Sequence, residues 1–170
     1  AGFDVIIIET VGVGQNEVTV RSMVDFFLLV LITGAGDELQ GMKKGVMEIC
    51  DVILINKADG NNYIRAKTAQ NEFKNMLHYL RPATPGWTSR ALTCSALYNQ
   101  GIDELWQVIE EFQNLTSKSG VLMERRKNQT LEWVFTMVVE QLKSRFYNHE
   151  GVKKLIPKIQ DELMSDRMSA

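Results

Sequence analysis

The sequence predicts an α/β fold, a mainly parallel sheet with helices over both faces. Three observations carry this. Short apolar runs recur near residues 4–9, 26–32, 51–56 and 90–94, without the polar alternation of a strand that has one face in water. The stretches between them are long enough for crossover helices. Polar or glycine-rich turns follow the runs at 4–9, 51–56 and 90–94, on the edge where open α/β sheets bind ligands.

The elements follow in order. Asp4-Val5-Ile6-Ile7-Ile8-Glu9 predicts a strand with an acid at its tip, followed by the turn Thr10-Val11-Gly12-Val13-Gly14-Gln15. After the strand at 26–32, residues 38–49 place Leu39, Met42, Val46 and Ile49 on one helical face. Asp51-Val52-Ile53-Leu54-Ile55 predicts a buried strand ending at Asn56-Lys57-Ala58-Asp59. Residues 61–80 predict a helix with Phe73, Leu77 and Leu80 inward, broken by the loop Arg81-Pro82-Ala83-Thr84-Pro85-Gly86. A strand near 90–94 leads to Thr93-Cys94-Ser95-Ala96-Leu97, and a helix near 102–115 is expected to bury Ile102, Leu105, Trp106, Ile109 and Phe112.

The character changes after about residue 117, which divides the chain into an α/β part, 1–116, and a helical extension, 117–170. Leu131, Val134, Phe135, Val138, Val139, Leu142 and Phe146 form a broad helical face. A break at Asn148-His149-Glu150-Gly151 precedes a second helix carrying Val152, Leu155, Ile156, Ile159 and Leu163, with Pro157 expected near its start. This tail could cap the α/β part or pair with a second copy.

Composition narrows the class. A net charge of −2 gives no basic field to draw the 170-residue chain to nucleic acid or an anionic membrane. The cluster Glu124-Arg125-Arg126-Lys127 lacks interleaved aromatics and predicts a solvated helix face. The longest apolar run, at 26–32, is too short to span a bilayer. Cys50 and Cys94 flank apolar strands, predict small buried hydrophobes and suit a reducing compartment, cytosol or mitochondrial matrix. His78 and His149 have no metal-ligand spacing and receive no function.

The turns carry the chemistry. At the tip of a parallel strand, the Asp59 carboxylate can accept from both the ring N–H and the amino group of guanine, a pairing adenine lacks. Asn56 can hold the purine and brace a neighbouring loop, and the Lys57 stem can lie over the ring. The turn at Ser95, Ala96 and Leu97 can bring backbone N–H groups to the guanine O6. Glu9 can hold Mg2+, often through water, and Gly12 lets backbone N–H approach a terminal phosphate. A polar turn after a strand is the plain alternative for each motif alone. Their order, acid-x-x-Gly, then Asn-Lys-x-Asp, then Ser-Ala, is the order found in GTPases.

Glu9-Thr10-Val11-Gly12-Val13-Gly14-Gln15 and Gly34-Ala35-Gly36-Asp37-Glu38-Leu39-Gln40-Gly41-Met42-Lys43-Lys44-Gly45 resemble the ArgK/MeaB family, GTPases of the P-loop NTPase type. The resemblance runs from Ala1 to about Lys154. It implies a GTP-hydrolysing chaperone that gates adenosylcobalamin loading and protects methylmalonyl-CoA mutase. It also implies GTP or GDP with Mg2+ as ligands, a homodimer formed through C-terminal helices, and a bacterial cytoplasmic or mitochondrial matrix address. It implies catalytic roles for Glu9 and Gly12, and a switch region at 33–45 using Asp37, Glu38, Gln40, Lys43 and Lys44. Family members are also labelled lysine/arginine/ornithine transport ATPases or kinases.

Two departures qualify the resemblance. The chain has no Gly-x-x-x-x-Gly-Lys-Ser/Thr phosphate loop, so it is expected to carry the guanine-recognition half of a larger GTPase and to be inactive alone. Val13 stands where many small GTPases place the Gln that orients the attacking water; the family shares this apolar position, so the resemblance implies slow intrinsic hydrolysis stimulated by a partner protein. The alternative class is an interaction module that docks or dimerises without nucleotide.

Overall fold

The computed structural model of the chain describes residues 2–10, 17–33 and 44–165. It divides into two compact units, Ala1–Arg126 and Lys127–Ala170. In the first, a three-stranded sheet runs in the order β1 (Leu28–Ile32), β2 (Val52–Asn56), β3 (Arg90–Thr93), every pair parallel. The helices are α1 (Glu17–Arg21), α2 (Lys44–Ile49), α3 (Tyr63–Tyr79), α4 (Ile102–Lys118) and the head of α5 (Val121–Asn148). The α/β class predicted from the apolar runs is the observed one.

β2 explains why the sheet holds. As the central strand it is covered on both faces, and Val52, Ile53 and Ile55 are fully buried. Burying each such side chain contributes about 1.5–3 kcal/mol. One face packs with Phe27, Val46, Met47, Ala66, Ala69, Phe73 and Leu77. A second cluster joins Val52, Trp87, Val108 and Phe112, where the Phe112 ring meets Phe26 and Trp87 edge-on at 4.9 and 5.2 Å. Phe73 and Leu77 are buried and Leu80 packs against the first cluster, as the period of α3 predicts. Trp106, expected inside α4, is instead 44% exposed. It directly follows Leu105 on the helix, and the turn that buries Leu105, Val108 and Phe112 leaves it on the water side.

The expected strand at 4–9 does not form. These residues take no regular structure and are exposed, with Ile7 85% accessible. A strand exists through its ladder, and among the described residues none runs beside this segment. The apolar run has the right composition without a partner.

At the amino end of β2, Asp51 is fully buried and collects donors from distant parts of the unit. It accepts from Arg21 at 2.5 and 3.3 Å, from the Phe27 N–H at 2.9 Å and from the Thr84 hydroxyl at 2.5 Å. The Thr84 oxygen in turn accepts from Arg21 at 2.8 Å and from Arg125 at 2.6 Å. Arg125 also donates to the Asp25 carbonyl, while Arg126 forks onto the Asp25 carboxylate at 2.9 and 2.5 Å. Arg125 thus departs from the solvated face expected of this cluster, while Glu124, Arg126 and Lys127 are exposed as expected. Burial, then repulsion from Arg21, lowers the Arg125 pKa.

In the second unit, α5 continues from Lys127 and is followed by α6 (Glu150–Met164), with the chain break where the sequence places it. His149 caps α6, its Nδ1 accepting from the Gly151 N–H at 3.2 Å. Pro157 lies inside α6, not near its start. Leu131, Val134, Phe135, Val138, Val139, Leu142 and Phe146 are between 42% and 68% exposed. No helix among the described residues is long and apolar enough to cross a membrane.

Candidate functional site: a turn pair at the carboxyl edge of the sheet

Register sets the site. Ile32 pairs with Asn56, and Ile55 with Thr93, so the three strands deliver Thr33, Asn56-Lys57 and Cys94-Ser95 to one edge. The two turns beyond β2 and β3 are then bonded together. The Ala58 N–H donates to the Cys94 carbonyl at 2.9 Å. The Asn56 side-chain oxygen accepts from the Lys57 N–H at 2.7 Å, the Ala96 N–H at 3.1 Å and the Cys94 thiol at 3.4 Å. The Ser95 hydroxyl donates to Asp59 Oδ2.

These bonds fix chemistry. Ser95 is fully buried, and its backbone exchanges two hydrogen bonds with Gln100, at 2.9 and 3.0 Å. The hydroxyl is thereby aimed at half-buried Asp59 by a closed loop. A carboxylate offers about four lone-pair sites, so the bond to Ser95 leaves capacity for two further donors on one edge. Gly101 closes this loop with φ +76°, and a Cβ there would collide with the Thr93 carbonyl and come 3.1 Å from the Cys94 Cα. Lys57 also holds a left-handed backbone, φ +59°, which is uncommon away from glycine.

Asn56, Lys57, Asp59, Ser95 and Ala96 therefore meet at one edge. Leu97 follows on the same turn, 79% exposed. The Ala96 N–H is taken by Asn56, whereas no acceptor for the Leu97 N–H lies among the described residues. Glu9 is exposed, outside this cluster. Among the described residues no three His, Cys, Asp or Glu side chains gather as a metal group. Gly12, Asp37, Glu38, Gln40 and Lys43 lie outside the described residues, and Lys44 opens α2. Cys50 and Cys94 are buried as expected. Burial, reinforced by the Asp51 charge, pushes the Cys50 thiol up to about 12, and burial also raises that of Cys94.

Sequence reasoning missed Asn62 and Thr33. Asn62 donates to the Lys57 carbonyl and accepts from the Thr33 hydroxyl, at 2.7 and 2.8 Å. The only signal was a pair of asparagines following Gly60.

A parallel α/β sheet with bonded polar turns at its carboxyl edge is the frame of nucleotide-binding α/β proteins, and its solved neighbour makes this one a P-loop NTPase fold. A solved structure described as a LAO/AO transport system kinase superposes with a TM-score of 0.76 at 38% identity, covering 99% of this chain and 54% of that one. The family model "Methylmalonyl Co-A mutase-associated GTPase MeaB" matches residues 1–151, and the chain belongs to that family. It is 45% identical over 150 residues to the GTPase ArgK of Escherichia coli, covering 88% of this chain and 45% of that protein. It is 37% identical over 168 residues to the mitochondrial methylmalonic aciduria type A homolog of Mus musculus, covering 99% and 40%. The chain spans about half the length of the curated relatives it matches.

Proposed function

We propose that this chain carries the guanine-recognition half of a GTP-hydrolysing protein whose partner is an adenosylcobalamin-dependent methylmalonyl-CoA mutase, gating cobalamin loading and protecting the mutase. The observation that carries the reading is the Ser95-to-Asp59 bond between two turns that Asn56 braces. Asp59 accepts from the guanine ring N–H and amino group, Lys57 covers the ring, and the turn at Ala96 and Leu97 faces O6, with the Leu97 N–H as the donor left open and the Ala96 N–H held by Asn56. Family membership supports the activity and the partner. The reaction is attack of water on the γ-phosphate.

Mg2+ would supply charge neutralisation of the phosphates. Glu9, exposed, suits a cation that keeps most of its water; Gly12 would approach the phosphate. Asp37, Glu38, Gln40, Lys43 and Lys44 would pass nucleotide state to the mutase. The exposed apolar side chains of α5 and α6 favour a homodimer through that arm. The same surface supports a second reading, a nucleotide-free interaction module.

Competition separates the readings. The 170-residue chain is titrated with fluorescent GDP and challenged with unlabelled GDP or ADP. Displacement by GDP alone is expected, and Asp59→Asn should weaken binding roughly a hundredfold by removing two charge-assisted hydrogen bonds. No saturable binding refutes guanine recognition by this chain and leaves the interaction module. Equal displacement by ADP refutes the role given to Asp59.

A further inference from the structure

We propose that Asn62 is the positioning residue of the guanine turn, holding the Lys57 backbone and tying it through Thr33 to the tip of β1. The inference rests on the guanine reading above and adds to it a residue that touches no nucleotide.

The argument begins with Lys57. Its left-handed backbone is unfavourable for a residue with a Cβ and persists only where surroundings impose it. Here both sides are held. Its N–H donates to the Asn56 side chain at 2.7 Å, and its carbonyl accepts from Asn62 Nδ2 at 2.7 Å. Without the second bond, the carbonyl loses its protein donor and the turn loses the restraint on the peptide between Lys57 and Ala58. That peptide sets where Asp59 points.

Asn62 sits where a different task is ordinary. It is the N-cap of α3, a position at which asparagine usually accepts from a backbone N–H of the first helical turn. It makes no such bond. Its amide instead faces Lys57, and its oxygen accepts from the Thr33 hydroxyl at 2.8 Å. Its own N–H donates to the Asp59 carbonyl at 2.9 Å, closing the single turn Gly60–Asn62. One residue therefore grips the turn at Lys57 and Asp59 and fastens it to the strand next to β2. The side chain is spent on the turn and not on the helix it precedes.

The test measures GDP affinity of the 170-residue chain by fluorescent GDP titration. Asn62→Ala should weaken binding about tenfold, the loss expected when one or two hydrogen bonds that shape a site are removed. Asn62→Asp keeps an acceptor for Thr33 but sets an anion against the Lys57 carbonyl, and should weaken binding at least as much. Thr33→Val, nearly isosteric, should weaken it about threefold, and Thr33→Ser should restore it. Thr33→Val should add nothing in the Asn62→Ala background. Phe112→Leu, in the cluster with Val52 and Trp87, serves as a stability control: it should lower the melting temperature and leave affinity unchanged.

Affinity of Asn62→Ala within twofold of the parent overturns the proposal, as does an affinity loss that follows melting temperature across all variants. Should Asn62→Ala fail to fold, the Thr33 pair and Asn62→Asp decide on the same criteria. A parent chain that binds no GDP overturns the guanine reading, and this inference with it. A parent that binds while the variants match it overturns the inference alone.

Discussion

Replacing Asp51 by Asn separates a buried charge from its shape. The carboxylate is fully buried and takes four hydrogen bonds, two on each oxygen: Arg21 and the Phe27 N–H on Oδ2, Arg21 and Thr84 on Oδ1. An amide has one acceptor oxygen. Its NH2 would face donors on the other side, and two guanidiniums, Arg21 and Arg125, would remain around a neutral group. Breaking a buried pair in this way costs about 3–5 kcal/mol, a large part of the 5–15 kcal/mol typical of a whole domain. Urea unfolding followed by tryptophan fluorescence and circular dichroism measures it. Asp25→Asn is the comparison: its partner Arg126 and Asp25 are 57% and 39% exposed, so solvent screening limits that loss to about 1 kcal/mol. Equal losses for the two, or less than about 1 kcal/mol for Asp51→Asn, would refute the account of Asp51 as a buried hub.

Three further outcomes are expected. Gly101→Ala should destabilise the chain by at least about 2 kcal/mol, since the left-handed backbone and the collision with Thr93 act together; it should also weaken GDP binding, because the displaced loop aims Ser95. Cys50, raised from 9.0 to about 12 by burial, keeps its proton in the folded chain while the unfolded chain ionises. Stability should therefore be intact below pH 9 and fall by about 1.4 kcal/mol per pH unit from there toward 12, a slope that Cys50→Ala should lack in pH-dependent unfolding. Val138→Glu, on the exposed face of α5 that the homodimer proposed above would use, should shift that dimer to monomer in sedimentation and leave the melting of the first unit unchanged.

Much of the fold was legible because the apolar runs and the helical period are local signals. β2 and α3 appear within one or two residues of where composition places them, since each buries a pattern visible in its own sequence. The segment at 4–9 shows the limit. Its composition is that of a buried strand, but pairing depends on a neighbour that no local pattern specifies. Trp106 shows another: hydrophobicity marks it for the core, and the geometry of one helical turn assigns it to water. At the candidate site, the residue types were readable from the motifs. The bonds that join the turns were not, because Asn56 and Ala96 are 40 positions apart and Thr33 and Asn62 are 29 apart. The Arg125 contacts were hidden for the same reason, spanning 100 and 41 positions to Asp25 and Thr84.

Thr84 has one oxygen and two cationic claimants, one from α1 and one from the head of α5. Neither arginine can change its hold on that hydroxyl without altering what is left for the other. Both claimants lie in the first unit, α1 beginning five positions after Gly12 and Arg125 in the head of α5. One threonine hydroxyl thus makes the seating of α1 a condition on the seating of the head of α5 within the first unit, and a Thr84→Val chain would free each to settle separately.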